Sequence, residues 1–228
     1  MRNLFFALFG FVSFLVSAQV KSEKPNYDKI EKAIADKTSE FYYPTMFGRF
    51  KKGDTTLTIQ QKRHLYYGFQ FQPNYNPYGV PKEMEELRPL LKNREMSDAD
   101  ALKVSTLVQK ILAKNPFDIK MMNVLLYATE KTKETAVFNA TLNQMAMVID
   151  ALGSSGDGKT KQTAFYVISV SDEYQLLAVL KLQPAGKQSL VEHYDYLEVA
   201  ANPDNIKGLY FDVTASMGAM VKSVKDKK

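Results

Sequence analysis

Apolar side chains recur at three- and four-residue intervals through the first two-thirds of this 228-residue chain, and the last third changes to strand-like runs. Ile30, Ala33 and Ile34 share one side of a helix predicted within residues 27–39. Thr58 and Gln61 have capping-box spacing, with Thr58 accepting from the Gln61 amide and the Gln61 side chain reaching back. This predicts a helix over residues 59–69. Pro73, Pro77 and Pro81 then interrupt regular structure, and Pro81 opens a further helix over residues 82–93. Ser97, Asp98 and Asp100 mark another helix start, with acids where the macrodipole favours them, and Ala101, Val104, Val108, Ile111 and Leu112 continue the stripe towards Lys114. Beyond Asn115-Pro116, Phe117, Met121, Val124, Leu125 and Ala128 line the next helix; after a turn at residues 131–133, Phe138, Leu142, Met145, Ile149 and Leu152 line one more. Short connections predict antiparallel helical hairpins. The length allows one tetratricopeptide-like unit, but no second copy recurs at a fixed period, which argues against a solenoid.

Past Gly153 the pattern shifts. Residues 163–170 (TAFYVISV) are β-branched and aromatic and read as a strand, and Tyr174, Leu177 and Leu180 give a short crossover helix over residues 172–181. Residues 189–200 and 208–214 read as two strands joined by the polar turn Asn202-Pro203-Asp204-Asn205, with a terminal helix over residues 215–224. The expectation is an α+β fold: a helical N-terminal two-thirds of antiparallel hairpins, then a small, mostly antiparallel sheet. One domain is expected over residues 27–228, helical over 27–152 and sheet-forming over 162–228.

The first eighteen residues follow neither pattern. Arg2 precedes the uncharged run LFFALFGFVSFLV at residues 4–16, and Val16-Ser17-Ala18 follows, the layout of a secretory signal peptide cleaved before Gln19. Thirteen residues rise about 20 Å as a helix, short of a ~30 Å hydrocarbon core, so no membrane span is expected after cleavage. Residues 19–26 read as a polar linker. Without Arg2 the chain carries 29 basic against 25 acidic side chains, a net charge of +4 in place of the full chain's +5. Part of that excess sits in the tail at Lys222, Lys225, Lys227 and Lys228. So mild a basic excess serves solubility and does not call for nucleic acid. Apolar residues make up 45% of the chain, enough for a sizeable core, and the absence of cysteine removes disulfides, thiol nucleophiles and thiolate metal sites.

Three constellations carry candidate chemistry. Residues 153–160 (GSSGDGKT) match the P-loop pattern through Gly153, Gly158, Lys159 and Thr160. A P-loop runs from strand to helix so that backbone amides and a helix N-terminus meet the phosphates. Here a helix precedes and a strand follows, so the match reads as a decoy: a C-cap glycine and a polar turn. Neither nucleotide nor other cofactor is expected. His193 and Asp195, two apart on a predicted strand, share a face, with Asp212 on the neighbouring strand; a metal site or a base and its orienter is geometrically possible, and a buried hydrogen-bonded pair is the structural alternative. No metal site is expected. No H-E-x-x-H, G-x-S-x-G or S-x-x-K occurs. Finally, residues 41–78 hold eleven of the 27 Phe and Tyr residues, interspersed with Arg49, Arg63 and His64. Flat amphipathic rings suit a binding surface, and rings at helical spacing equally suit a core.

The stretch Tyr43-Pro44, Arg49-Phe50, Gly53-Asp54-Thr55-Thr56-Leu57-Thr58, Arg63-His64-Leu65-Tyr66-Tyr67-Gly68-Phe69, Gln72, Tyr75 and Pro77-Tyr78 resembles a secreted family of unknown function from Bacteroidetes. Thr163-Ala164-Phe165-Tyr166-Val167-Ile168, Asp172-Glu173-Tyr174 and Leu209-Tyr210-Phe211-Asp212 are similar to its C-terminal part, so the likeness covers nearly the whole mature chain. The resemblance implies export from a Gram-negative cell, to the periplasm or beyond, and supplies no activity. The leading expectation is a non-enzymatic protein that binds a protein partner or small ligand through Tyr43, Arg49, Arg63, His64, Tyr66, Tyr67, Tyr75 and Tyr78. The alternative is a hydrolase-type periplasmic enzyme working through His193, Asp195 and Asp212.

Overall fold

A computed structural model describes residues 22–92 and 95–225; the signal-like segment, residues 1–18, lies outside the described residues. The helical part comprises α1 (Tyr27–Ala35), α2 (Tyr43–Lys51), α3 (Ile59–Gly68), α4 (Met84–Leu90), α5 (Asp98–Lys114), α6 (Ile119–Thr132) and α7 (Thr135–Gly153). The sheet part follows as β1 (Phe165–Tyr166), α8 (Val170–Val179), β2 (Pro184–Val191), β3 (Tyr194–Val199), β4 (Gly208–Asp212) and α9 (Thr214–Lys225). The fold is α+β, as the apolar periodicity predicts.

Local chemistry sets the helix starts. Asn26 accepts from the Lys29 amide to open α1, Ser97 from the Asp100 amide to open α5, and Asp118 from the Met121 amide to open α6. Both halves of the Thr58–Gln61 capping box form at α3. Within the stretch read as a linker, Glu23 is tied down: its amide donates to Ser154 O at 3.0 Å, and Arg63 Nη2 donates to Glu23 O at 2.6 Å.

Helices α5, α6 and α7 pack in sequence across four- and two-residue connections, and α3 packs against α1, α2 and α7. An outer apolar cluster joins α4, α5 and α6 through Leu87, Val104, Val108, Ile111 and Leu125. The larger core runs from α1–α3 through α6 and α7 into the sheet, and its largest fully buried side chains include Tyr66, Tyr67, Phe50 and Phe211. Burial of this aromatic mass is the main stabilising term.

The sheet has the order β1-β4-β3-β2, with β1 parallel to β4 and the other pairs antiparallel. It departs from expectation in two places. The run 163–170 supplies only a two-residue strand before α8 begins. The single strand expected over 189–200 is instead a hairpin, β2 and β3, turning at Glu192 and His193 between the paired Val191 and Tyr194. Glu192 takes φ +61, which usually calls for glycine or asparagine, so the turn leaves no ordinary mark in the sequence. Helix α2 was not predicted either: Pro44 and Gly48 mask a spacing that buries Tyr43, Met46 and Phe50.

Candidate ligand cleft

The aromatic segment is mostly core. The Tyr66 hydroxyl donates to Asp172 Oδ2 at 2.6 Å and accepts from the Ile168 amide at 3.2 Å. Tyr67 donates to main-chain oxygens of Ala151 and Tyr166, and Tyr75 to Ile168 O at 2.6 Å. Tyr43 is buried, its hydroxyl without a hydrogen-bond partner among the described residues. Burial pushes the hydroxyls of Tyr43, Tyr66, Tyr67 and Tyr75 well above the usual phenol range. Buried Arg63 donates to Ser154 Oγ at 2.7 Å, and its guanidinium lies over the Tyr67 ring. Arg49 binds Asp54 Oδ2 and Thr56 Oγ1, each at 2.7 Å; the Thr56 hydroxyl, donating to Asp54 Oδ1 at 2.6 Å, and then Arg49 hold the Asp54 carboxyl well below its ordinary value. His64 stacks on Phe41 with its Nδ1 2.8 Å from Gln60 O, and burial draws its pKa down. Of the eight proposed binding residues, Tyr43, Arg63, Tyr66 and Tyr67 are therefore inaccessible as a stacking surface, whereas Tyr78 is 49% exposed.

The three residues of the alternative reading do not converge. His193 occupies the hairpin turn, where strand alternation no longer applies, and its Nε2 lies 3.5 Å from Asp212 Oδ2. Asp195 pairs with Phe211 while Asp212 pairs with Tyr194. Paired residues share a face and neighbours alternate, so the two carboxylates point to opposite sides of the sheet. A site built on all three is excluded by this register. Asp212 accepts from the Thr214 amide at 3.0 Å. Asp195 is buried; Gln188 Nε2 donates to its Oδ2, and the carboxyl of Glu173 lies against it. Both Glu173 oxygens and Asp195 Oδ1 lack an N–H or hydroxyl donor among the described residues. A proton on Glu173, donated to Asp195, satisfies the pair: burial first, then the charges of Asp195 and Asp172, pushes Glu173 up to about 9. Among the described residues no group of three or more His, Asp or Glu could hold a metal ion.

The P-loop pattern is folded as a turn. Gly153 ends α7, and the amides of Asp157 and Gly158 both donate to Thr163 O, at 3.0 and 2.8 Å. Gly158 has φ +70 and packs under Phe165. Lys159 and Thr160 are exposed. The amides of Asp157 and Gly158 are thus committed within the chain and not to a phosphate.

A cleft of about 340 Å³ opens where three segments meet: residues 69–81 after α3, the α5–α6 turn at residues 114–118, and the junction of β1 with α8 at residues 168–172. Phe69, Tyr75, Phe117 and Ile168 line its apolar side, and Asn74, Asn76, Asn115, Ser169 and Ser171 bring amides and hydroxyls. Two acids line it, Asp118 and Asp172. Asp172 is 2% exposed; burial pushes its carboxyl up to about 8, Asp118 adds to the rise, and the Tyr66 hydroxyl opposes it. Burial likewise raises Asp118, against the pull of the Met121 amide. Among the described residues the one cation of the lining is Lys114, bonded to both oxygens of Glu83, at 2.7 and 2.8 Å. Tyr75 is the one residue of the proposed binding set in this lining. Sequence reasoning missed Asp118 and Asp172 because an acid at a helix start has a complete local explanation in capping and the macrodipole. Their burial depends on segments distant in sequence.

No curated protein matches this chain, and no solved structure does. The model of one family, described as a domain of unknown function (DUF4919), matches residues 28–222. That span takes in both the helical part and the sheet part, and the chain belongs to the DUF4919 family.

Proposed function

We propose that this chain is an exported, non-enzymatic ligand-binding protein of Bacteroidetes, and that its ligand enters the cleft between residues 69–81, the α5–α6 turn and the start of α8. The observation that carries this reading is Asp172. It is a nearly buried carboxyl lining an open cavity, with Tyr66 as its one side-chain donor among the described residues. Burying an acid costs stability; the Tyr66 hydroxyl and the Ser169 main chain offset only part of that cost, since the carboxyl stays raised to about 8, and a ligand cation is a natural further partner. A cavity of this size, apolar on one side with a few converging polar groups, lies at the small end of small-molecule sites. The charged start, apolar run and small-residue site of residues 2–18 support export, and the sequence blocks around residues 43–78 support the taxon.

A thermal-shift screen of small polar and charged compounds tests the reading. Ligands should raise the melting temperature of the mature chain and not that of Ser171→Trp, whose indole fills the cleft. Shifts that persist in Ser171→Trp, or no shift with any compound, would refute it. Export is tested by the N-terminus of the protein recovered from the native cell envelope, which should be Gln19.

A further inference from the structure

We propose that the cleft recognises a primary ammonium group on a short alkyl chain, paired with the carboxyls of Asp118 and Asp172; this rests on the reading of the cleft as a ligand site. Charge is the first argument. Both acids line the cavity, and Lys114, the lining's single cation among the described residues, is engaged by Glu83. Among the described residues, an incoming cation therefore meets two carboxyls and no free cationic competitor within the lining, and an anion meets neutral amides and hydroxyls but no free cation. Shape is the second. Asp172 is 2% exposed within the lining, so the group that meets it must be small. The apolar stem of an alkylammonium has Pro77, Val80 and Pro81 to lie along.

The competing chemistries fit less well. A sugar ring needs an open aromatic face, but Phe69 and Phe117 are 3% and 2% exposed and pack edge-to-face on each other. A divalent metal needs more oxygen ligands than two carboxyls, and the described residues offer no such group. An ammonium uses three N–H donors, and Asp172 Oδ1 takes no side-chain donor among the described residues.

The pairing carries a proton signature. The groups that bear on Asp172 are Tyr66 and Tyr67 from α3, Tyr75 from the following loop, Asp118 from the start of α6 and Glu173 from α8 itself. None of these is a cation. With Asp172 near 8, an alkylammonium must displace its proton below that pH, so affinity should rise about tenfold or more between pH 6 and pH 9 while the ligand stays charged.

Titration calorimetry on the mature chain tests this, using n-pentylammonium, a lysine-containing tripeptide blocked at both ends, and the uncharged 1-pentanol. The expected result is binding of an ammonium probe with 1-pentanol at least about tenfold weaker, and a comparable loss in both Asp172→Asn and Asp118→Asn. Asparagine caps helices as well as aspartate does, so Asp118→Asn keeps the test alive should Asp172→Asn fail to fold. Tight binding of pentylammonium alone identifies a free amine as the source; binding of the tripeptide at least as tightly identifies a lysine side chain of a peptide. Equal binding of 1-pentanol, or undiminished affinity in both asparagine variants, overturns the ammonium. If those probes fail while another compound binds wild type and not Ser171→Trp, the ammonium falls and the cleft stands. If Ser171→Trp binds pentylammonium as well as wild type does, both fall.

Discussion

Replacing Glu173 by glutamine should stabilise this protein at neutral pH, although it removes a fully buried charge-capable group from the core. The Glu173 side chain is 0% exposed and lies against the Asp195 carboxyl, with no N–H or hydroxyl donor among the described residues. Its pKa rises from 4.5 to about 9, chiefly through burial. A raised acid binds its proton more tightly folded than unfolded. Its contribution is complete below about pH 4.5 and is lost steadily as pH climbs to about 9, at about 1.4 kcal/mol per unit. At pH 7 the loss is at most about 3 kcal/mol, and glutamine, which does not titrate, avoids it. The amide N–H₂ can still donate to Asp195 Oδ1 and its oxygen replaces one already unpaired in the acid, while its second donor forfeits about 1–3 kcal/mol if it finds no partner. The net expectation is a gain of up to about 2 kcal/mol at pH 7, larger at pH 8.5. Urea denaturation of wild type and Glu173→Gln at pH 5, 7 and 8.5 measures it; the burial of Asp172 is common to both proteins, and only its coupling to Glu173 enters the difference. The difference should grow in the variant's favour with pH. A variant less stable at pH 8.5 than wild type, or a difference independent of pH, would refute the shared proton.

Three further outcomes are expected. Tyr66→Phe removes the donor to Asp172 and the acceptor for the Ile168 amide, both buried, and should cost about 1–3 kcal/mol by urea denaturation; a cost under about 0.5 kcal/mol would mean these bonds contribute nothing. Gly156→Ala would set a Cβ 2.2 Å from Thr163 O and 2.4 Å from Ala164 O, both main chain, so the turn must open at about 1–3 kcal/mol or more, read as a lowered melting temperature. Lys159→Ala, at an exposed position of the P-loop-like sequence, should change stability by less than about 0.5 kcal/mol; ATP binding that this change abolishes would reverse our reading of that turn.

The parts of the fold legible in the sequence are those with a local cause. The Thr58–Gln61 box, the Ser97 cap and the apolar stripes of α5 to α7 depend on neighbours within a turn or two, and each helix forms close to where the periodicity puts it. The hairpin was missed because Glu192 adopts a positive φ that its residue type does not advertise. That one turn also undid the proposed His193–Asp195 face, since alternation counted through residue 193 fails once the chain reverses there. The cleft was hidden for a different reason. Asp118 and Asp172 each read as an ordinary helix start, and only the packing of α8 against α6 brings them into one cavity. Tyr66, read as a binding ring, meets Asp172 from the core side and fixes it in place.

Helix α8 ties these observations together. Ser169 caps it, and its first turn carries two adjacent acids with different neighbours: Asp172 meets Tyr66 of the helical part at the cleft, and Glu173 meets Asp195 of the hairpin. The N-terminal end of a helix favours negative charge, which offsets part of the cost of burying both. The offset is incomplete, since burial still raises each carboxyl far above its ordinary value. The charge of Asp172 in turn disfavours ionisation of Glu173. Ionising the cleft acid therefore strengthens the hold of Glu173 on the proton it shares with Asp195. Above about pH 8, where Asp172 is ionised, a cationic ligand paired with it would offset that field, and Glu173 would hold its proton less tightly.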